Sequence, residues 1–288
     1  MPLERFFVRG TLGLIGNQSV KLSTTLNRSF LNRSLFFAAT QSTSTASKTF
    51  SLDPVEIPPE KMKSLDEMPN NGQYELMFAT KSGLPIPMLP ISHSAVAFKD
   101  TQTDNIFVYG RQSPWDFFNW VRDGISFRTE MDNERKYLNK NYPFTAYPTG
   151  ALFAKDEIAA FFNKTDTLIN KKQFCNMFNS NCYSASVTVF ALALEILAKR
   201  EKFVAEEINN VLKVLEGHPL QDHLSLGVMN NSVVQSSLKS AVSSVQARVT
   251  SIKNPTAAEQ ELQQQTEELL RTLAHEGSEK LTRDCFSI

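Results

Sequence analysis

The chain has 288 residues, and its 30 lysines and arginines balance 30 aspartates and glutamates, so the formal net charge is zero. A hydrophobic content of 41% excludes a chain disordered throughout, and the absence of a basic excess excludes a general nucleic-acid binder. Three cysteines exclude a disulfide scaffold and indicate a reducing, cytoplasmic compartment.

The first segment, residues 1–50, is basic and rich in serine and threonine. It holds six basic residues, one acidic residue and fourteen hydroxyl-bearing residues. This composition predicts a flexible leader, which is either a mitochondrial transit peptide or a segment without a targeting role. Residues 51–73 are rich in proline, charge and turn signals, and they predict a linker.

The pattern changes at residue 74, and residues 74–215 predict one α+β domain. Residues 74–80 predict a strand, and the apolar runs 91–98 and 106–109 flank a polar loop, which is typical of a β-hairpin. Residues 151–170 predict a short strand followed by a helix.

Residues 185–200 are apolar nearly all round and end in Lys199 and Arg200, which predicts a central buried helix with cations at its C-terminus. No glycine occurs between Gly150 and Gly217, which favours helix in this region. The apolar run is shorter than about 18 residues, so we expect no transmembrane segment.

No aromatic residue occurs from 204 to 285, so residues 216–288 predict a helical C-terminal extension. Thr256 and Glu259 form a capping-box pattern, which predicts an acidic, glutamine-rich helix ending near Gly277. The leucines of this helix lie in one stripe. The stripe either docks on the main domain or serves as a partner-binding or targeting surface.

Sequence motifs for metal and phosphate binding are missing. The chain contains no CxxC, HExxH, glycine-rich phosphate loop or GxSxG pattern, so we predict no metal and no cofactor. A cysteine nucleophile with a histidine base is the chemistry that the remaining residues allow.

Cys182 directly precedes the long apolar helix. The N–H groups and positive dipole end of a helix N-terminus lower the pKa of a thiol, and the same N–H groups bind an oxyanion. The alternative for Cys182 is an inert cysteine packed at the start of a helix.

His93 lies on the first strand of the predicted hairpin. Alternation places His93 on one face with Ala95 and Ala97, opposite the Ser94 face, and these small neighbours leave room for another element to approach. The alternative for His93 is a partly exposed polar residue at a strand start. The other three histidines lie in the aromatic-free tail and are weaker candidates.

Three stretches together resemble the circularly permuted papain-fold cysteine peptidases, most closely the PPPDE group that includes deSUMOylating isopeptidases. They are residues 93–98 (HSAVAF), 106–110 (IFVYG) and 176–182 (NMFNSNC), the last leading into the apolar helix. NlpC-type amidases and acyltransferases of the lecithin retinol type are related. The resemblance covers residues 74–205, and the glycine-rich segment of the family is replaced here by residues 111–114.

The resemblance implies a permuted papain-like fold, in which a small antiparallel sheet packs on a central helix that bears the cysteine. It implies a thiol hydrolase in which a Cys182–His93 dyad attacks an amide, isopeptide or thioester carbonyl of a protein or acyl-amide substrate, including ubiquitin-like conjugates. The alternatives are a thiol acyltransferase or deacylase of the same fold and a non-catalytic interaction protein.

A third polar residue is predicted on the second hairpin strand. Pairing across the 99–105 loop brings residues 109–112 near His93, although the register is open. Gln112 is the candidate that holds the imidazole or helps to bind an oxyanion. Tyr109 matches the aromatic residue of the family and is predicted to be structural, and Asn105 lies too near the loop.

The remaining chemistry-bearing residues lie outside this dyad. Cys175 is either a packing cysteine or a redox partner. Cys285 begins a C-terminal CaaX-like tetrapeptide, so the tail is either lipidated, which would bring the protein to a membrane, or frayed. The aromatic cluster at residues 115–120 lines either the cleft or the core. The architecture also fits a divergent bacterial effector that is secreted into a host cell.

Overall fold

The computed structural model describes residues 53–81, 93–112, 130–133, 143–170, 181–217 and 231–285. For Gln112, Glu130, Asn133, Asn170 and residues 275–285 it describes the backbone alone. The predicted leader, Cys175, the aromatic cluster at 115–120 and the last three residues of the CaaX-like tail lie outside the described residues.

The described strands form one curled, seven-stranded sheet. Its strands are β1 (Val55–Ile57), β2 (Met62–Lys63), β3 (Tyr74–Lys81), β4 (His93–Asp100), β5 (Ile106–Gln112), β6 (Glu130–Asn133) and β7 (Phe144–Phe153). The order is β1-β7-β3-β4-β5-β2, with β6 also paired to β5. The pairing is antiparallel except between β2 and β5, which are parallel.

The predicted strand at 74–80 and the predicted hairpin are both confirmed as β3 and β4–β5. The hairpin ladder runs from Lys99 opposite Ile106 to Val96 opposite Tyr109. Its loop is closed by the carboxylate of Asp100, which accepts hydrogen bonds from the Gln102 N–H and the Thr103 hydroxyl at 2.8 Å each. Because the register of this ladder is regular, successive side chains of β4 and β5 point to opposite faces of the sheet.

Residues 53–73 form part of the sheet, although their composition predicts a linker. β1 pairs with β7 at one edge and β2 pairs with β5 at the other. Ile57 and Met62 are buried at these edges. The few apolar side chains of this polar segment thus cover the two edges of the sheet. The linker prediction rested on the average composition of the segment, which does not show that individual residues are buried.

Five α-helices are found in the described part of the chain, which makes the protein α+β. They are α1 (Lys155–Thr165), α2 (Cys182–Lys199), α3 (Ala205–Gly217), α4 (Ser232–Thr250) and α5 (Ala257–Cys285). α2 packs on the face of the sheet that carries Val96 and Phe98, and α4 packs on α2. α2 is therefore the central layer of the protein.

α2 is the predicted buried helix, and its apolar character comes from this central position. Within the described residues it is the one helix whose length and mean hydropathy, 1.4, match a membrane span. However, 78% of that stretch is buried inside the protein. Burial between the sheet and α4 explains the composition, so α2 is weak evidence for a membrane segment.

The C-terminal helices share the main hydrophobic core. Leu238 of α4 and Leu262 of α5 are fully buried in the same cluster as Phe190 of α2. The predicted capping box is confirmed, because Glu259 accepts a hydrogen bond from the Thr256 N–H at 2.6 Å. The helix end predicted near Gly277 is wrong, since α5 continues to Cys285; a single glycine costs a helix only about 1 kcal/mol.

Candidate functional site

The site begins at the N-terminus of α2, where Asn181 is the N-cap. Its side-chain oxygen accepts a hydrogen bond from the Ser184 N–H at 3.2 Å, and the Ser184 hydroxyl accepts one from the Asn181 N–H at 3.0 Å. This reciprocal pair is a capping box, which holds the first turn of a helix in place. An asparagine before an apolar helical run is a sequence signal for such a cap.

Cys182 is the first residue of α2, and this half-buried residue carries a free thiol. The first N–H groups of a helix have no acceptor within the helix, and the dipole adds positive potential at this end. The prediction that Cys182 lies at the start of a helix is confirmed. A thiolate and an oxyanion are both favoured there.

His93 is the first residue of β4 and pairs with Lys81 of β3. Ala95 and Ala97 belong to a second, smaller core cluster on the far face of the sheet, and the His93 ring lies 6.3 Å from that of Phe144 in the same cluster. The imidazole nevertheless hydrogen-bonds to Cys182. The structure thus brings together the two residues that the sequence singled out.

The environment of Cys182 favours the thiolate. Burial raises the pKa of the thiol, but the charge of the His93 imidazole and its hydrogen bond lower it. Two further hydrogen bonds, from the backbone N–H and the hydroxyl of Ser94, act in the same direction. The net result is a thiol pKa below its usual value, as expected for a thiolate beside a cation and several donors.

Ser94 is a site residue that the sequence pattern did not indicate. Its side chain is fully buried on the α2 face of the sheet, next to His93 in the chain but on the opposite side of the strand. The available signal was a small hydroxyl residue facing the predicted cysteine helix. Alternation alone placed Ser94 away from the histidine and so away from the predicted site.

The predicted third residue, Gln112, is the last residue of β5. The β4–β5 ladder ends at Val96 opposite Tyr109, and His93 and Gln112 each lie three residues beyond that pair, toward the same end of the sheet. The Gln112 side chain lies outside the described part of the structure. Its role as an imidazole or oxyanion partner therefore stays a prediction.

The other candidates near the hairpin have structural positions. The Tyr109 hydroxyl accepts a hydrogen bond from the Leu65 N–H at 3.2 Å, and its ring stacks on Phe162 at 4.6 Å. Burial raises the pKa of Tyr109 to about 12. The Asn105 carbonyl accepts from the Asp100 N–H at 2.9 Å in the hairpin loop.

Tyr183, the residue after the cysteine, points into the core. It is 1% exposed, and its ring lies 6.3 Å from that of Phe78 on β3. A large aromatic side chain at this position therefore anchors the first turn of α2 to the sheet. Because the Tyr183 side chain points into the core, it does not cover the solvent-facing side of Cys182.

No group of three or more histidine, cysteine or acidic side chains within the described ranges has a geometry that could hold a metal ion. No family model matches this chain, and comparisons with curated proteins and with solved structures give no significant match.

Proposed function

We propose that this protein is a thiol hydrolase in which Cys182 is the nucleophile and His93 the base. The observation that carries the proposal is the hydrogen bond between the His93 imidazole and the Cys182 sulfur at the N-terminus of α2. A cysteine with a depressed thiol pKa and a histidine partner at the N-terminus of a helix is the arrangement that nucleophilic thiol catalysis needs.

The arrangement also supports a permuted papain-like fold as part of the proposal. A mainly antiparallel sheet packs on a central helix that begins with the cysteine, and the histidine strand precedes that helix in the chain. This order, base before nucleophile, is the order in the family that the three sequence stretches resemble.

The reaction follows from the roles of the two groups. His93 accepts the proton of the Cys182 thiol, and the thiolate attacks an amide, isopeptide or thioester carbonyl. The Cys182 N–H, at the start of α2, stabilises the oxyanion of the tetrahedral intermediate. The imidazolium then protonates the leaving group, and water, activated by the same imidazole, hydrolyses the acyl-enzyme thioester to the carboxylic acid and the free thiol.

The test uses a ubiquitin or ubiquitin-like protein with a thiol-reactive C-terminus. We expect it to label the wild-type protein at Cys182, to leave Cys182→Ser unlabelled there, and to label His93→Ala about 100-fold more slowly at neutral pH. His275→Ala, a histidine change on α5, is the matched control and should react like the wild type.

Mass spectrometry of the labelled peptide decides the outcome. Labelling at Cys285 alone, or equal labelling of wild type and Cys182→Ser, would contradict the proposal. Labelling of Cys182 by a small electrophile but not by the ubiquitin-type probes would be consistent with a thiol enzyme and would exclude the isopeptidase substrate class.

A further inference from the structure

We propose that Ser94 and Ser186 form a buried hydroxyl relay, in which Ser94 donates to the Cys182 thiolate and Ser186 directs the Ser94 hydroxyl toward the sulfur. The inference deepens the proposed function and rests on its nucleophile, Cys182. In this arrangement Ser94 touches the reacting sulfur, and Ser186 is a positioning residue that acts through Ser94.

The first observation is the position of Ser94 on β4. Ser94 pairs with Thr80 of β3 on one side, whereas on the other side the β4–β5 ladder ends at Val96 and does not reach Ser94. Both the backbone N–H and the hydroxyl of Ser94 hydrogen-bond to the Cys182 sulfur. One residue thus supplies two donors to the thiolate from the side of the sheet.

The second observation is the contact between the two hydroxyl groups. Ser94 Oγ lies 3.3 Å from Ser186 Oγ, and the two side chains are 0% and 1% exposed. Ser186 lies on α2 one turn after Cys182, so the helix presents the sulfur and this hydroxyl on the same face toward β4.

A comparison within α2 shows that this contact is specific to Ser186. Serine and threonine hydroxyls inside helices often bond the carbonyl one turn back, as Thr188 does to the Ser184 carbonyl at 2.8 Å. The Ser186 hydroxyl instead faces the Ser94 hydroxyl across the helix–sheet interface.

Chemistry fixes the direction of the relay when the thiolate is present. A hydroxyl has one proton, and a thiolate only accepts hydrogen bonds, so the Ser94 proton points to the sulfur. The Ser94 oxygen then accepts from the Ser186 hydroxyl, whose oxygen lies 3.3 Å away. Water is excluded from both groups, which strengthens each bond.

The experiment measures the rate of iodoacetamide alkylation of Cys182 against pH, by mass spectrometry of the Cys182 peptide in the full-length chain. We expect Ser94→Ala to move the midpoint of the profile up by about one pH unit, which lowers the thiolate fraction about tenfold below the midpoint. Ser186→Ala should move it in the same direction by a smaller amount.

The double variant Ser94→Ala/Ser186→Ala should match Ser94→Ala, because Ser186 acts only through the Ser94 hydroxyl. Thr188→Val removes a buried hydroxyl from the same helix and should leave the midpoint unchanged. Additive shifts in the double variant, an unchanged midpoint in Ser186→Ala, or an equal shift in Thr188→Val would each overturn the relay.

Ser186→Ala keeps every atom that touches the sulfur, so it carries the test even where Ser94→Ala does not fold. The outcome is separable from that of the proposed function, because alkylation reports the thiol and needs no substrate. A protein that shows the relay shifts but whose Cys182 is not labelled by the ubiquitin-type probes would retain the relay while excluding the isopeptidase substrate class.

Discussion

Replacing the N-cap of α2 tests whether the start of this helix controls the reactivity of Cys182. Asn181→Ala removes the side-chain acceptor of the Ser184 N–H, a bond of 3.2 Å. The loss of an N-cap costs about 1 kcal/mol of folding free energy, which lowers the Tm of a protein of this size by roughly 2–4 °C.

The same change weakens the ordered donors and the dipole at Cys182. A helix N-terminus is worth about 0.3–1 kcal/mol to a nearby negative charge, so the thiolate fraction of Cys182 should fall about two- to fivefold at a fixed pH below the midpoint. Asn181→Ser keeps a capping oxygen and should preserve both stability and reactivity. Asn181→Asp keeps the cap but adds a negative charge beside the sulfur, so stability should hold while reactivity falls.

Asn231→Ala is the matched control, because Asn231 caps α4 in the same way and accepts from the Val233 and Val234 N–H groups at 3.0 and 3.4 Å. Both asparagine-to-alanine variants should lose similar stability in thermal unfolding, whereas only Asn181→Ala should slow alkylation of Cys182. Equal slowing in both variants would show that reactivity merely follows stability, and the reasoning about the helix start would fail.

Two further predictions concern stability. The Arg200 guanidinium donates to the Leu152 carbonyl at 2.7 Å and to the Glu157 carboxylate at 3.0 Å, and it lies over the Phe153 ring. Because lysine cannot reproduce these contacts together, Arg200→Lys should lower the free energy of unfolding, measured by urea titration, by about 1–2 kcal/mol. Lys199→Ala, which removes an exposed ion pair, should change it by less than about 0.5 kcal/mol, and equal losses would contradict the role of the planar guanidinium. Burial raises the pKa of Glu216 above 4.5, although the Gln265 side chain donates to it at 3.0 Å. Because the folded-state pKa lies above the unfolded-state pKa, Glu216 favours the folded state most below the unfolded-state pKa, and this stabilisation is lost as the pH rises through the folded-state pKa. Glu216→Gln, which stays neutral, should therefore be more stable than the wild type at about pH 7.5 and no more stable near pH 4. The same advantage at both values would refute this assignment.

Local pattern was enough to predict the elements that surround the site. The alternation of residues 91–98 and 106–109 predicted β4 and β5, and the apolar run at 185–200 predicted α2, because these patterns depend only on neighbouring residues. The capping box at Thr256 could be predicted for the same reason. The position of Cys182 at a helix start followed directly.

Tertiary packing decided which side chains surround the sulfur. Ser94 is adjacent to His93 in the chain, yet the two side chains leave the strand on opposite faces, and only the docking of α2 brings both to Cys182. The contact of Ser94 with Ser186 likewise joins distant parts of the chain.

By itself, the sequence determined the class of elements, the neutral and cysteine-poor character of the chain, and the candidate pair Cys182 and His93. The tertiary structure alone decided that residues 53–73 complete the edges of the sheet, that α4 packs on α2, and that α5 packs on α3 and α4 in the same core. The physical reason is that local propensity and periodicity are set by neighbours in the chain. Edge pairing, the burial of a helix on both sides and a buried pair of hydroxyls depend instead on which apolar faces meet.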